Sequence, residues 1–405
     1  MLDSSIRELV KSTVPVLKES GVALTRHFYA RMFTHNPELK PVFNQTSQQT
    51  GRQQQALAMA VLAYAEHIDH PEVLEPALRL IANKHVSLGI RAEHYAIVGK
   101  HLLASIKEVL GDAASDALIA AWAAAYGQLA DILITQEQMI YQQAVNQNGG
   151  WSGWRSFNVA EKVIESDEIT SFYLSPADGG KVPTYLPGQY ISVKLSIPSL
   201  GVSQARQYSL SAAPGKDSLR ISVKRAQGNG LQADGLVSQQ LHDNVKEGSL
   251  IDVAPPMGDY FLHEDRNTPV VLISAGVGIT PKVSMLEHLA ETHSTRQIVF
   301  IHACRHGGVH AFKRQLRQLS AEHPFLKTLI YYEVPREQDV LEVDYQASGR
   351  LNLEEIASVC LLPGADYYVC GPVPFMQEQI GTLKRLGVDA GKIYAEAFGS
   401  GGVAA

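Results

Sequence analysis

Apolar residues recur at steps of three and four through residues 4–141, and that spacing then gives way to short β-rich runs, so one chain must hold two architectures. Tyr95, Val98, Leu102, Ile106 and Val109 form one stripe, and Leu118, Trp122, Ala125, Leu129 and Ile132 form another. Such a stripe buries one face of an amphipathic helix, which predicts an all-α domain over residues 1–147. Gly111-Asp112 separates two helices, and Asn36-Pro37 and His70-Pro71 interrupt the earlier pattern. Gly21 is expected to end a first helix that Pro15 kinks. The glutamine-rich residues 45–55 read as a loop entering a helix, because Leu57, Val61 and Tyr64 follow at helical steps.

Beyond the polar residues 146–150, β-rich runs occupy residues 157–164, 190–195 and 219–224. Asp178-Gly179-Gly180, Pro187-Gly188 and Pro214-Gly215 punctuate them with turns. This predicts a small antiparallel β-barrel over residues 151–265. From Pro269 the pattern changes again: apolar runs at 270–274, 298–303 and 366–370 read as buried strands, with helices starting at Lys282, Val309 and Phe375. The expected third part, residues 266–405, is a doubly wound α/β domain with a mostly parallel sheet. No internal repeat is present.

A formal net charge of -6 leaves no basic face for a phosphate backbone, which excludes nucleic acid as a partner. Three cysteines (Cys304, Cys360 and Cys370) make an odd number without a CxxC pair, pointing to a reducing compartment and away from zinc or a disulfide scaffold. The start, Met1-Leu2-Asp3-Ser4-Ser5, has no basic n-region followed by an apolar h-region. The longest apolar stretch, residues 269–279, is too short to cross a bilayer. The expectation is a monomeric cytoplasmic protein without a membrane span.

Chemistry concentrates in short segments. In Arg206-Gln207-Tyr208-Ser209, alternation along a strand puts Arg206 and Tyr208 on one face. A guanidinium is a permanent bidentate cation suited to a diphosphate, and an aromatic ring stacks on an isoalloxazine. Gly235-Leu236-Val237-Ser238 reads as a helix start with Ser238 as N-cap, where an anion is favoured. In Ala275-Gly276-Val277-Gly278-Ile279-Thr280-Pro281 the glycines allow a tight turn and close backbone approach, Thr280 reads as N-cap and Pro281 as the first helical residue. Cys370, before Gly371-Pro372, ends a strand at the carboxyl edge of the sheet, where a nicotinamide ring would sit.

With Pro187-Gly188-Gln189-Tyr190, these segments resemble the ferredoxin reductase-like modules over residues 154–399. That resemblance implies FAD contacts from Tyr190, Arg206, Gln207, Tyr208 and Ser209, with Ser238 assigned to the flavin diphosphate. Ala275, Gly276, Val277, Gly278, Ile279 and Thr280 would contact the dinucleotide, and Glu396, Ala397, Phe398 and Gly399 would lie by the flavin. Ala275 stands where a glycine is common, and Ser400-Gly401-Gly402 replaces a frequent proline. NADH or NADPH would be the reductant; Arg305 could meet a 2′-phosphate or be a surface charge, and the expectation leans to NADH.

In the helical part, His85 lies on an apolar-faced helix and is a natural axial ligand for iron, although any one of 15 histidines is more often a surface or core residue. Phe28-Tyr29, Pro41-Val42-Phe43, Gln53, Leu57, Asn83-Lys84-His85, Tyr95 and Glu137 accompany it. As a whole the chain resembles the flavohaemoglobins. The resemblance implies haem b held by His85, with Phe43 on the porphyrin, a distal pocket of Tyr29, Gln53 and Leu57 with room for a lipid, and Tyr95 and Glu137 hydrogen-bonded behind His85. Lys84 would pair with a haem propionate or be solvated. The implied activity is dioxygenation of nitric oxide, NO and O2 giving nitrate. A reversible oxygen-binding or gas-sensing globin, and a flavin, quinone or ferric reductase with a regulatory globin, are the alternatives.

Overall fold

The computed structural model describes residues 2–228 and 235–398; Gly399 and residues 400–402 lie outside the described residues. The chain divides into two compact units. One comprises Met1–Arg155, Ser192–Arg206 and Val253–Asp259, and the other Ser156–Ile191, Gln207–Asp252 and Tyr260–Ala405.

The first unit holds helices α1 (Ser4–Ser12), α2 (Val14–His35), α3 (Gln45–Gln49), α4 (Arg52–Glu66), α5 (Glu75–Ser87), α6 (Ala92–Leu110) and α7 (Asp116–Asn146). The expected first break is misplaced. It falls at Thr13, whose hydroxyl donates to the carbonyl of Val10 at 2.6 Å, and Pro15 sits in the first turn of α2, where its missing N–H costs nothing. Gly21 is buried inside α2, where an added Cβ would lie 3.5 Å from that of Ala58, so its smallness serves close packing on α4. Residues 45–55 are not a simple loop: α3 forms there, and Gly51 (φ 74°) turns the chain into α4. The stripes pack as expected. Leu24, Phe28, Met32, Tyr64, Leu102, Ile106, Leu118 and Trp122 share one core, each large side chain stabilising the fold by roughly 1.5–3 kcal/mol. Leu78 and Ala82 of α5, Tyr95 of α6 and Ala130 and Leu133 of α7 form a second cluster. The apolar stretch at 269–279 is not the extreme of this chain: α7 is long and apolar enough to cross a membrane by length and composition alone, because alanines fill its sequence. Here it packs Leu118, Trp122, Ala125 and Leu133 into the helical cores.

Strands β1 (Arg155–Ile164), β2 (Ile169–Pro176), β3 (Tyr190–Ile197), β4 (Val202–Ser209), β5 (Leu219–Lys224) and β6 (Leu250–Val253) form a six-stranded sheet in the order β4-β3-β6-β1-β2-β5. Antiparallel registers such as Phe172↔Ile221 pair β2 with β5. Helix α8 (Leu236–Asp243) precedes β6. In the second unit, β7 (Val270–Ala275), β8 (Ile298–Cys304), β9 (Leu326–Tyr332), β10 (Ala347–Ser348), β11 (Asp366–Cys370) and β12 (Ile393–Glu396) make a parallel sheet, ordered β10-β9-β8-β7-β11-β12. Its helices are α9 (Ile279–Glu291), α10 (Lys313–Glu322), α11 (Ala357–Cys360) and α12 (Val373–Arg385), which start away from the expected Lys282, Val309 and Phe375. Val270, Leu272, Phe300 and Tyr368 fill one core, and Val271, Ile273, Val299, Ile301 and Val369 the other, so successive residues serve opposite faces. Sequence order runs outward from β7 in two directions, to β8 on one side and β11 on the other. Such a switch point opens a crevice beyond the carboxyl ends of the strands.

Candidate functional site

Helices α5, α6 and α7 bring His85, Tyr95 and Glu137 together. His85 Nδ1 donates to Glu137 Oε1 at 2.7 Å and lies 3.0 Å from the Tyr95 hydroxyl, which itself donates to the same carboxylate oxygen at 2.5 Å. Glu137 is 2% exposed, so a solvated role is excluded. Burial first, and then the hydrogen bond to Glu137, hold the Tyr95 phenol well above its usual range and keep it a donor. With Nδ1 committed to a carboxylate, Nε2 is the ring nitrogen left to face a metal. Lys84, next in the chain, is half-buried.

Tyr29, on α2, is buried, and desolvation raises its phenol pKa far above normal even though the amides of Gln53 and Gln48 face the hydroxyl. It is a hydrogen-bond donor at any physiological pH. Its ring lies 5.7 Å, edge-on, from that of Phe43 and 5.9 Å, stacked, from that of Phe33, and those two phenylalanine rings meet edge-on at 5.4 Å. Leu57 packs on the same core. Among the described residues the side-chain oxygen of Gln53 is buried without a protein partner, which leaves it for a ligand. An imidazole backed by a carboxylate, an apolar wall and unmet polar atoms fit an iron porphyrin. Gln48 was not singled out in the sequence; it was hidden in the glutamine-rich segment, and its side-chain oxygen is oriented by Gln54 at 2.8 Å. Gln204 is 1% exposed and reaches back from β4, accepting from Gln45 N at 3.0 Å and donating to the carbonyl of Phe43 at 3.3 Å.

The RQYS segment is the end of β4, as its alternation implied. Among the described residues Ser209 Oγ is buried without a protein partner, which suits it to a polar ligand atom, and Tyr190 opens β3 with 5% exposure. The assignment of Ser238 as N-cap is overturned. Gly235 caps α8, and the Ser238 hydroxyl, within the first turn, donates to Gly235 O at 2.8 Å and accepts from Ala226 N at 3.1 Å. Its hydroxyl fastens the loop.

At the switch point the glycines act by close approach. A Cβ on Gly278 would fall 2.3 Å from the carbonyl oxygen of Cys370, one on Gly371 would fall 3.2 Å from Ala275 N, and Gly276 takes φ 53°. Ala275, Gly276, Val277, Gly278 and fully buried Ile279 thus line the carboxyl ends of β7 and β11 beside Cys370, whose thiol burial pushes up to about 12. A dinucleotide can approach the backbone of this loop where Gly276 and Gly278 carry no side chain. Thr280 and Pro281 are not cap and first residue: Gly278 precedes α9, and Thr280 Oγ1 donates to Val277 O at 3.0 Å. Glu396 ends β12 opposite Cys370; Ala397 is half-buried, and Phe398 is 43% exposed. The sequence reading also missed Lys282, which is 0% exposed and breaks the apolar stripe of Ile279, Leu286 and Leu289 on α9. A charge in such a stripe was the available signal.

Family profiles match the chain in three places: globin over residues 26–133, oxidoreductase FAD-binding domain over 156–261 and oxidoreductase NAD-binding domain over 272–380. It is 58% identical over 405 residues, the whole of both chains, to the flavohemoprotein of Bordetella parapertussis. The flavohemoglobin of Malassezia yamatoensis, solved with bound FAD and heme, superposes with a TM-score of 0.86 at 29% identity over 98% of this chain and 100% of that one. The FAD/NAD-binding domain of the nitric oxide dioxygenase from Vibrio cholerae aligns at 40% identity and a TM-score of 0.54, covering 60% of this chain and 98% of that one. Haem, FAD and a nicotinamide dinucleotide are the cofactors of such an oxidoreductase, and the unmet polar atoms above fit them. Sharing its sequence end to end with such relatives, the chain belongs to the flavohemoprotein family.

Proposed function

We propose that this protein is a nitric oxide dioxygenase, converting NO and O2 to nitrate with electrons passed from NAD(P)H through FAD to haem. Residues 1–147, 151–265 and 266–405 serve as its haem, flavin and nicotinamide parts. The observation that carries this reading is the Glu137 carboxylate behind His85. It makes the imidazole a stronger electron donor, a trait that suits oxygen activation better than reversible carriage. When bound, haem supplies an iron that takes O2, and the flavin converts a hydride pair into single electrons. The chain's own residues do the rest. Tyr29, kept protonated by burial, donates to oxygen as negative charge develops there, while Gln53 and Gln48 orient that phenol and Phe43 and Leu57 exclude water. One NADH serves two molecules of NO and two of O2, yielding two nitrates, NAD+ and a proton.

The test is NO consumption by the purified holoprotein with NADH, which is expected to require O2 and to form nitrate mole for mole. Tyr29→Phe should speed oxygen release by roughly 10–150-fold, the worth of one charge-assisted hydrogen bond at about 1.5–3 kcal/mol. NO loss without nitrate, or an unaltered off-rate, would sink the reading. A sensor or a plain flavin reductase fails the first arm.

NADH is the favoured reductant. Arg305, just past β8, is engaged by Glu168, whose other oxygen takes Lys224 at 3.1 Å. A 2′-phosphate would have to displace that carboxylate. Glu168→Gln is therefore expected to raise the NADPH-to-NADH ratio of kcat/KM by about tenfold, one charge-assisted hydrogen bond's worth. An unmoved ratio counts against Arg305 as the discriminating cation. A cytoplasmic setting agrees with the free thiols of Cys304, Cys360 and Cys370.

A further inference from the structure

Lysine is rarely buried entirely, and Lys282 is. It stands one turn into α9, directly after the loop that Gly278 presses against the Cys370 carbonyl. Its ammonium donates to the Tyr260 hydroxyl and lies 4.4 Å from the centre of that ring. Tyr260 in turn stacks edge-on against Tyr368 of β11 at 6.1 Å. On the neighbouring strand, Glu396 pairs in register with Cys370. A cation and a carboxylate therefore flank one point, the carboxyl ends of β11 and β12, with Tyr260 and Cys370 as the other titratable groups facing the amine. Among the described residues Tyr260 takes one of the three ammonium protons, in a place where desolvation is expensive. A structural role alone would be filled better by an apolar side chain of similar length, since Ile279, Leu286 and Leu289 occupy the rest of the stripe.

Hydride transfer explains a charge at this point. The dihydronicotinamide ring of NADH is neutral. When its hydride leaves for the flavin with both bonding electrons, the ring that remains is a pyridinium with a full positive charge. A fixed charge nearby therefore distinguishes reactant from product while barely affecting the shared pyrophosphate and adenosine. Glu396 alone would attract the pyridinium and retain the product. Lys282 cancels that attraction, and burial keeps its field from being screened by salt.

We propose that Lys282 is a positioning residue that discriminates between coenzyme redox states, its buried ammonium offsetting Glu396 so that the site accepts NADH and releases NAD+. The inference rests on the reading that the nicotinamide ring occupies the switch-point crevice beside Cys370. Burial lowers the ammonium to about 8, with Cys370 and Glu396 opposing the shift. Discrimination is thus greatest in neutral solution and declines as pH rises through that value.

The test is equilibrium binding to the oxidised holoprotein of NAD+ and of 1,4,5,6-tetrahydro-NAD, whose ring is neutral and donates no hydride. Lys282→Met, close in volume, is expected to tighten NAD+ by roughly tenfold while moving the neutral analogue less than about twofold. The double variant Lys282→Met, Glu396→Gln should return the ratio toward that of the parent protein. In the parent, the preference for the neutral ring should shrink between about pH 7 and about pH 9, and in Lys282→Met it should stay flat. Equal shifts for both ligands, no shift for either, or a pH-independent parent ratio would overturn the proposal. Ala275→Phe, which fills the crevice, separates this from the underlying reading: if it leaves both affinities intact, the ring lies elsewhere and both inferences fall; if it weakens both while Lys282→Met changes nothing, only the charge argument falls.

Discussion

Replacement of Glu137 by Gln is expected to slow NO turnover by about 10–100-fold while the Soret band persists, because the partner behind a metal-bound imidazole contributes on that scale. The carboxylate accepts from both His85 and Tyr95. A glutamine oxygen can accept only as a neutral dipole, which weakens both bonds in a pocket where Glu137 is 2% exposed. The imidazole then donates less charge to iron, the ferric state loses stabilisation and its reduction potential rises. A potential that stays where it was, with turnover intact, would remove the support for oxygen activation. Haem loss without any change of potential would assign Glu137 to packing alone.

The second large effect belongs to Gly278. Its substitution by Ala places a methyl 2.3 Å from the carbonyl oxygen of Cys370, a backbone atom that cannot swing aside. Either β7 and β11 separate at their carboxyl ends or the loop lifts from the crevice. Coenzyme binding should weaken by at least about tenfold, and the domain should lose about 1–3 kcal/mol, the usual cost of overpacking. Flavin content should be unchanged, because Tyr190, Arg206 and Ser209 belong to the other sheet. Wild-type affinity for the dinucleotide in Gly278→Ala would show that the loop does not approach the ligand closely.

What was legible in the sequence follows from how local each signal is. The runs at 157–164, 190–195 and 219–224 became β1, β3 and β5 because alternation along a strand needs no distant partner to be seen. β9 escaped notice because Lys327 and Thr328 interrupt its apolar run, and β12 because four residues carry no period. Ser238 and Thr280 were misassigned as caps for a shared reason: a glycine precedes each helix, and the hydroxyls bond to backbone carbonyls within the first turn. His85, Tyr95 and Glu137 emerged as a group only through resemblance, since 52 residues separate the imidazole from its carboxylate. Lys282 required the structure, since burial of a charge is invisible until the strands it faces are placed.

An imidazole gripped from behind by a carboxylate and a phenol has little freedom to swing. Gas sensors relay occupancy by letting the ring, and the helix that bears it, shift when a ligand arrives or departs. Here α5 is moored through His85 to α6 and α7 together. On the proposed reading, that mooring would suit repeated turnover better than relaying the arrival of a diatomic molecule.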